Sequence, residues 1–275
     1  MSEPDWGRAL VEAETALLHP HIELQRFGAV ELLRIRREDA LGALGDGMIE
    51  AITDYAIGVA GRSEIRALVL TGTGRSFVAG ADIKIYHGAG LGDFNAYQRR
   101  SRRMFDAIAG LPQATIAAVN GYALGGGFEL ALSCDLILIS DKAKLGLPEI
   151  KLGLLPGGGG TQRLPRLVGA MRAKELIFSG RMISAAEAVA YGAALEACAP
   201  DDLLGRALTL ANELAEKAPL ALAEAKRVID DGLEAALPSA LTFEQRVLGA
   251  LYATDDAKEG IAAFVEKRLP NFSAR

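Results

Sequence analysis

The chain has 275 residues, half of them hydrophobic and 24% charged, with a formal net charge of −5. This is a globular composition, and a chain of this length can bury one sizeable core. The acidic balance argues against a general nucleic-acid-binding surface. We expect no membrane span and no signal peptide, because no apolar run is long enough and the N-terminal stretch is acidic. The expected setting is therefore the cytoplasm.

The elements follow one another in an alternating order. Residues 1–20 predict a polar lead-in with one short helical stretch, and the run Ile22 to Arg37 alternates around Gly28 as in two strands joined by a turn. The later predictions are a helix over Gly47–Gly61, a strand over Arg66–Gly72, a helix over Asp93–Ala109, a strand over Ala114–Gly121, a helix over Gly125–Ser133 and a strand over DLILIS. Strands alternating with helices predict an α/β protein with parallel β-α-β units.

The pattern changes after Asp201, where apolar residues recur at helical spacing. Pro219 and Pro238 stand where new helices can begin. We therefore predict two regions, a core over residues 1–200 and an all-helical region over residues 201–275. An amphipathic final helix is expected over Glu259–Phe272.

Two glycine-containing segments could present backbone N–H groups to a ligand. SFVAGADIK, residues 76–84, follows a predicted strand, and its small residues allow a close backbone approach. GYALGGGFELALSCD, residues 121–135, has three glycines that open a predicted helix, and such a terminus can stabilise a developing oxyanion. Glu129 lies in the apolar first turn of that helix. The simpler readings are an ordinary loop and an acid that complements the helix dipole.

A second acid, Glu149, stands in the apolar segment LGLPEIKLGLLPGGGGTQRLPRLVG, residues 145–169. The four glycines of this segment do not match a phosphate-binding loop and instead predict a tight turn before a helix. The chain has no GxSxG motif, and neither its two cysteines nor its three histidines have metal-ligand spacing. Two acids and two amide-rich loops remain, a set suited to polarising a carbonyl and moving protons.

Four segments together resemble the enoyl-CoA hydratases of the crotonase superfamily. They are AGADIK, NGYALGGGFELALSCD, PEIKLGLLPGGGGTQRLPRLVG and the ending TDDAKEGIAAFVEKR, so the resemblance extends from about Ile22 to the C-terminus. It implies a crotonase-like spiral of ββα turns followed by a helical C-terminal region that contributes to oligomerisation. The implied assembly is a homo-oligomer, a trimer or a dimer of trimers.

The resemblance also implies an activity, the reversible hydration of 2-enoyl-CoA thioesters to 3-hydroxyacyl-CoA, as in fatty-acid β-oxidation. The implied oxyanion-hole donors are the backbone N–H groups of Ala81 and Gly126, and the implied catalytic acids are Glu129 and Glu149. Because many members keep only one acid or neither, the presence of both favours hydration. The implied contacts to the substrate and its coenzyme A moiety are Ala79, Asp82, Ile83, Lys84, Gly125, Phe264 and Lys267. Coenzyme A enters as part of the substrate, and neither a cofactor nor a metal is expected.

Two segments depart from the family pattern, and other functions stay open. RREDALGALGDG has Gly42 where the family commonly has Asn, and the Gly-rich HGAGLGDF lies where the family often shapes the acyl pocket. The first alternative is an enoyl-CoA isomerase or another acyl-CoA enzyme of the superfamily. An RNA-binding protein that keeps the fold and a purely structural oligomer are alternatives of other classes.

Overall fold

The computed structural model describes residues 6–275. Eleven helices are present in this range: α1 (Trp6–Glu12), α2 (Asp46–Ala60), α3 (Leu91–Ala109), α4 (Gly126–Ala131), α5 (Gly160–Val168), α6 (Ala170–Ser179), α7 (Ala185–Tyr191), α8 (Leu203–Ala215), α9 (Pro219–Leu233), α10 (Leu237–Tyr252) and α11 (Asp255–Glu266). The strands are β1 (Thr15–His19), β2 (Ile22–Phe27), β3 (Val30–Ile35), β4 (Ala67–Gly72), β5 (Ser76–Val78), β6 (Ala114–Val119), β7 (Tyr122–Leu124), β8 (Leu136–Ser140), β9 (Lys144–Gly146), β10 (Met182–Ser184) and β11 (Glu196–Cys198). No helix of residues 6–275 combines the length and apolar character needed to cross a bilayer.

The strands form two sheets. The larger has the order β1-β2-β3-β4-β6-β8-β11, antiparallel from β1 to β3 and parallel from β3 onward. The smaller has the order β10-β9-β7-β5, in which β5, β7 and β9 are parallel. These sheets confirm the predicted α/β class and the parallel units.

The larger sheet is covered on both faces, and for this reason its central strands are apolar throughout. Every residue of β4 and β6 is buried, as expected for parallel strands between two helical layers. Helices α2 and α3 contribute to the core on one face, and α8 packs on the other. The C-terminal region beyond Asp201 is helical, as predicted, while the division of the chain at residue 200 stays a prediction.

Two local predictions need correction. The stretch predicted as a polar lead-in contains β1, which pairs with β2 along an irregular register and has no buried residue. The final helix, predicted over Glu259–Phe272, begins at Asp255 behind the cap of Thr254. It ends at Glu266 because Lys267 adopts a left-handed conformation with φ of 55°.

The three short parallel strands bring three separate segments of the chain to one place. The loop Ala79–Asp82 follows β5, Gly125 and α4 follow β7, and a 3-10 turn over Pro148–Leu152 follows β9. Because the carboxyl ends of parallel strands lie at the same edge of a sheet, the three segments meet there.

A substitution at Gly127 tests this packing of α4 on β5. A Cβ on Gly127 would lie 1.8 Å from the carbonyl oxygen of Val78, whereas a Cβ on Gly126 meets nothing closer than 3.8 Å. Gly127→Ala is therefore expected to lower the free energy of unfolding by about 1–3 kcal/mol, the usual cost of overpacking. Urea denaturation measures this loss, with Gly126→Ala as the matched control. Equal stability of the two variants would contradict the packing described here.

Candidate active site

A cavity of about 460 Å³ lies where the three segments meet. The residues that line it are Leu44, Ala79, Gly80, Ala81, Ile83, Tyr86, Phe94, Tyr97, Gln98, Ser101, Phe105, Leu124, Gly125, Gly126, Glu129, Pro148, Glu149, Leu152, Leu154, Leu155, Gly157 and Gly158. Most of these are apolar or aromatic, and two are carboxylic acids. An apolar cavity with a few convergent polar groups is the usual form of a small-molecule site.

The N–H groups of Ala81 and Gly126 belong to two loops that approach each other at the cavity wall. A Cβ on Gly126 would lie 3.8 Å from the backbone nitrogen of Ala81. Gly126 is the first residue of α4, so its N–H has no acceptor within the helix. The bridge between Leu44 and Ala81 uses the N–H groups of Leu44 and Asp82 instead. Both N–H groups are thus available to a ligand oxygen in the cavity.

Gly125 makes this close approach possible. Its φ of 51° favours glycine, and a Cβ there would lie 2.8 Å from Oε1 of Glu149. Glycine is therefore required at this position both by the backbone conformation and by the nearby carboxylate. The same contact shows that the carboxylate of Glu149 lies directly beside the loop that presents the Gly126 N–H.

Glu129 is buried, with 3% of its surface exposed, and its carboxylate is held by backbone donors. Its Oε1 accepts hydrogen bonds from the N–H groups of Gly158 and Gly160, at 2.7 and 2.8 Å. Burial raises the pKa of Glu129, while these two hydrogen bonds and the charge of Arg163 act in the opposite direction. The four-glycine run thus forms the predicted turn before a helix. Its N–H groups at Gly158 and Gly160 also form a binding cradle for the carboxylate of Glu129.

Glu149 has a different environment from Glu129. Within residues 6–275, no hydrogen-bond partner reaches its buried Oε2. Burial raises the pKa of Glu149 to about 7, opposed by a backbone hydrogen bond and reinforced by the negative charge of Glu129. Burial therefore raises the pKa of both carboxyl groups, but two backbone N–H groups and the charge of Arg163 oppose that shift at Glu129, whereas one backbone hydrogen bond opposes it at Glu149. Two acids in such different environments are the arrangement from which a base and an acid can be formed.

The predicted binding residues divide into two groups. Ala79, Ile83 and Gly125 line the cavity together with the predicted oxyanion donors and acids. The other four lie outside its lining. Asp82 forms an ion pair with Arg37 at 2.7 Å, Lys84 is exposed, and Phe264 and Lys267 lie exposed at the C-terminal end of the chain. The structure of one chain does not test their predicted contacts with coenzyme A, which stay predictions.

Sequence reasoning missed one wall of the cavity, which α3 forms. Tyr97, Gln98, Ser101 and Phe105 all face the cavity from this helix. Their spacing follows one helical face, but the same spacing is equally typical of core packing, so it did not single them out. Sequence reasoning also missed that the glycine turn binds the carboxylate of Glu129. The run of four glycines was the signal that could have indicated this contact.

The site combines two amide donors, one buried acid and one half-buried acid on an α/β scaffold, as in an acyl-thioester enzyme of the crotonase type. The family model described as Enoyl-CoA hydratase/isomerase matches residues 26–275. The chain therefore belongs to the enoyl-CoA hydratase/isomerase family of enzymes. This confirms the resemblance to the crotonase superfamily inferred from the sequence.

Similar proteins support the same assignment. The chain is 40% identical to the short-chain-enoyl-CoA hydratase of Clostridium acetobutylicum, across 90% of this chain and 95% of that protein. It is 36% identical to the crotonyl-CoA hydratase of Syntrophomonas wolfei, across 94% and 100%. A solved structure of enoyl-CoA hydratase from Bacillus anthracis superposes with a TM-score of 0.90 at 36% identity, covering 93% of this chain and all of that one. The expected crotonase fold is thereby confirmed.

The raised pKa of Glu149 predicts a pH-dependent stability. The unfolded chain ionises this group near 4.5 and the folded chain near 7, so the folded state binds the extra proton between these values. The free energy of unfolding of the wild type should therefore fall as the pH rises through this window. Glu149→Gln removes that loss, so its stability relative to the wild type should be greater at about pH 8 than at about pH 5. Urea denaturation at both pH values measures the difference, and a pH-independent difference would contradict a raised pKa.

Proposed function

We propose that this protein catalyses the reversible hydration of 2-enoyl-CoA thioesters to 3-hydroxyacyl-CoA. The observation that carries the proposal is the convergence of Glu129, Glu149 and the N–H groups of Ala81 and Gly126 on one cavity. The hydratase names of its relatives support the same reaction. An isomerase needs one group to move one proton, whereas addition of water uses one acid and one base together.

Each group has a distinct role in the proposed reaction. The thioester oxygen accepts hydrogen bonds from Ala81 and Gly126, and each such donor typically contributes roughly a hundred- to a thousandfold in rate. Glu129, whose Oε1 accepts hydrogen bonds from two amides, takes a proton from water as the water oxygen bonds to C3. Glu149, whose pKa is raised to about 7, supplies a proton to C2. The double bond is lost, and the elements of water are added across it.

The relatives and the cavity favour a short acyl group as substrate. Two relatives are named for short-chain-enoyl and crotonyl thioesters. The aromatic residues Tyr86, Phe94, Tyr97 and Phe105 contribute to the wall of the cavity of about 460 Å³. We therefore take crotonyl-CoA as the test substrate, with coenzyme A as part of the substrate and without a further cofactor.

Exposed apolar residues in the C-terminal region support the proposed oligomer. Tyr252 in α10, Phe264 in α11 and Leu269 just beyond α11 are 70%, 87% and 86% exposed in the single chain, and large exposed apolar surfaces often mark interaction sites. A trimer or dimer of trimers would cover them, and it would bring Phe264 and Lys267 to a neighbouring coenzyme A site, with Lys84 as a second cation. A cytoplasmic role in fatty-acid β-oxidation belongs to the same proposal.

Substitution of either acid tests the proposal. Glu129→Gln and Glu149→Gln should each lower the hydration rate of crotonyl-CoA by about a hundred- to ten-thousandfold, because each removes a proton-transfer group. The decrease in conjugated enoyl-thioester absorbance measures hydration, and circular dichroism checks folding. Glu50→Gln, on the exposed face of α2, is the matched control. Near-normal turnover in a folded Glu129 or Glu149 variant would remove that residue from the mechanism.

Gly126 tests the oxyanion hole separately from the acids. Gly126→Pro removes the N–H that the thioester oxygen needs, and activity should be lost. Gly126→Ala keeps this N–H and has room for a Cβ, since the nearest atom lies at 3.8 Å, so its effect should be milder. Circular dichroism must show that the helix start is preserved. A folded and fully active Pro variant would place the oxyanion donor elsewhere.

A further inference from the structure

The cradle of Glu129 is itself held by a residue that the proposed chemistry does not use. Three consecutive peptide units lie between Gly157 and Gly160. The first and third donate their N–H groups, those of Gly158 and Gly160, to the same oxygen of Glu129. The carbonyl oxygen of the middle unit, that of Gly158, accepts a hydrogen bond from Nη1 of Arg163 at 2.8 Å. The guanidinium group is thus bonded to the peptide unit between the two donors.

Two positions of this turn have room only for glycine. Gly159 has a φ of 111°, and a Cβ there would lie 2.3 Å from Nη1 of Arg163. A Cβ on Gly158 would lie 2.2 Å from Phe105 and 2.7 Å from Oε2 of Glu129. The guanidinium group therefore packs closely against bare backbone, and the turn is enclosed between Arg163 on one side and Glu129 on the other.

Arg163 is itself oriented from the protein surface. Its side chain is 24% exposed, and Nη2 lies 3.6 Å from Oδ1 of Asp106. Arg102 donates from Nε to both carboxylate oxygens of Asp106 at 2.7 Å. Burial lowers the pKa of Arg163, while the charges of Asp106 and Glu129 oppose that shift. An arginine remains protonated under such a shift, so a positive charge stands behind the cradle.

We propose that Arg163 is a positioning residue, which fixes the Gly158–Gly159 peptide so that both neighbouring N–H groups point at Glu129 and keep it ready to accept a proton. This inference rests on the proposed function. Arg163 is absent from the cavity lining, so it acts through the backbone and has no direct contact with substrate. It should affect the rate of the chemical step more than the binding of substrate.

The charges around Glu129 determine the expected pH effect. Glu149 and Tyr86 interact with Glu129 across the cavity, and Arg163 does so from behind the glycine turn. Asp106, Arg102 and the thiol of Cys134 in turn surround Arg163. Of these, Arg163 is the cation that lowers the pKa of Glu129. Loss of its charge should therefore raise that pKa, and the acid limb of the rate profile should move to higher pH.

Two substitutions separate the charge of Arg163 from its hydrogen bond. Arg163→Gln removes the charge, and we expect kcat for crotonyl-CoA to fall by about ten- to a hundredfold. This loss is smaller than the full contribution of a general base, because Glu129 itself remains in place. KM should change little, and the acid limb should shift upward. Arg163→Lys keeps the charge but lacks the guanidinium fork, so the acid limb should stay in place with an intermediate kcat.

The matched control is Arg166→Gln on the same helix. Arg166 is 49% exposed and pairs with Glu234 at 2.9 Å, so its loss should leave kcat and the pH profile unchanged. Amide hydrogen exchange at Gly158 and Gly160, followed by NMR, reports on the cradle without turnover, and it should be faster in Arg163→Gln than in the wild type or the control.

The outcomes separate the two proposals. A folded Arg163→Gln enzyme with wild-type kcat, acid limb and amide exchange would overturn the positioning role. If Arg163→Gln does not fold, Arg163→Lys decides: reduced kcat with faster exchange at the two glycines supports the role, and wild-type values of both overturn it. A wild-type protein that does not hydrate crotonyl-CoA would contradict the proposed function alone, because the exchange measurement would still test the cradle.

Discussion

The site depends on the close approach of three backbone segments at the edge of a small parallel sheet. Gly127 lies so near the carbonyl of Val78 that a Cβ would stand 1.8 Å from its oxygen, and a Cβ on Gly125 would stand 2.8 Å from Oε1 of Glu149. Two N–H groups can share one ligand oxygen only when their loops come this near to each other. The packing of the backbone segments therefore already requires glycine at the start of α4, independently of any ligand.

The same close packing separates the ionisation of the two acids. Glu129 is buried and Glu149 is half-buried, and this burial raises the pKa of each. Glu129 is compensated by two N–H groups and by Arg163, while Oε2 of Glu149 is left without a partner among the described residues. An apolar setting favours the protonated carboxyl group, and backbone hydrogen bonds to the carboxylate oppose that preference. The glycine turn and the 3-10 turn after β9 thus place two chemically identical side chains in different electrostatic environments.

Much of this arrangement could be predicted from the sequence. The strand pair around Gly28, the helix of α2 and the alternation of strands and helices are confirmed, because their hydrophobic periods match their burial. The motifs around Glu129 and Glu149 led to the correct family. The strand β1 was missed because it lies at a sheet edge and buries too little to show an alternating pattern.

Other features could not be predicted, for physical reasons. The chain turns at Lys267 through a left-handed backbone conformation. This conformation is uncommon for residues other than glycine, so a lysine in the sequence does not predict it. The wall formed by α3 and the bond from Arg163 to Gly158 depend on contacts between distant segments. A sequence shows which residues share a helical face, but it does not show what that face meets.

The proposed chemistry depends on Glu129 losing its proton more readily than Glu149, because two N–H groups and Arg163 oppose the effect of burial at Glu129. Carbon-13 NMR of labelled glutamate carboxyl groups in the wild-type protein, assigned with Glu129→Gln and Glu149→Gln, tests it most directly. We expect the resonance of Glu149 to titrate with a pKa of about 7, and we expect Glu129 to lose its proton first, because two N–H groups and Arg163 face its carboxylate. Since the acids are coupled, the two titration curves belong to the pair as a unit. Two carboxyl groups that titrate together near the usual glutamate value, or a Glu129 that holds its proton longer than Glu149, would contradict the account.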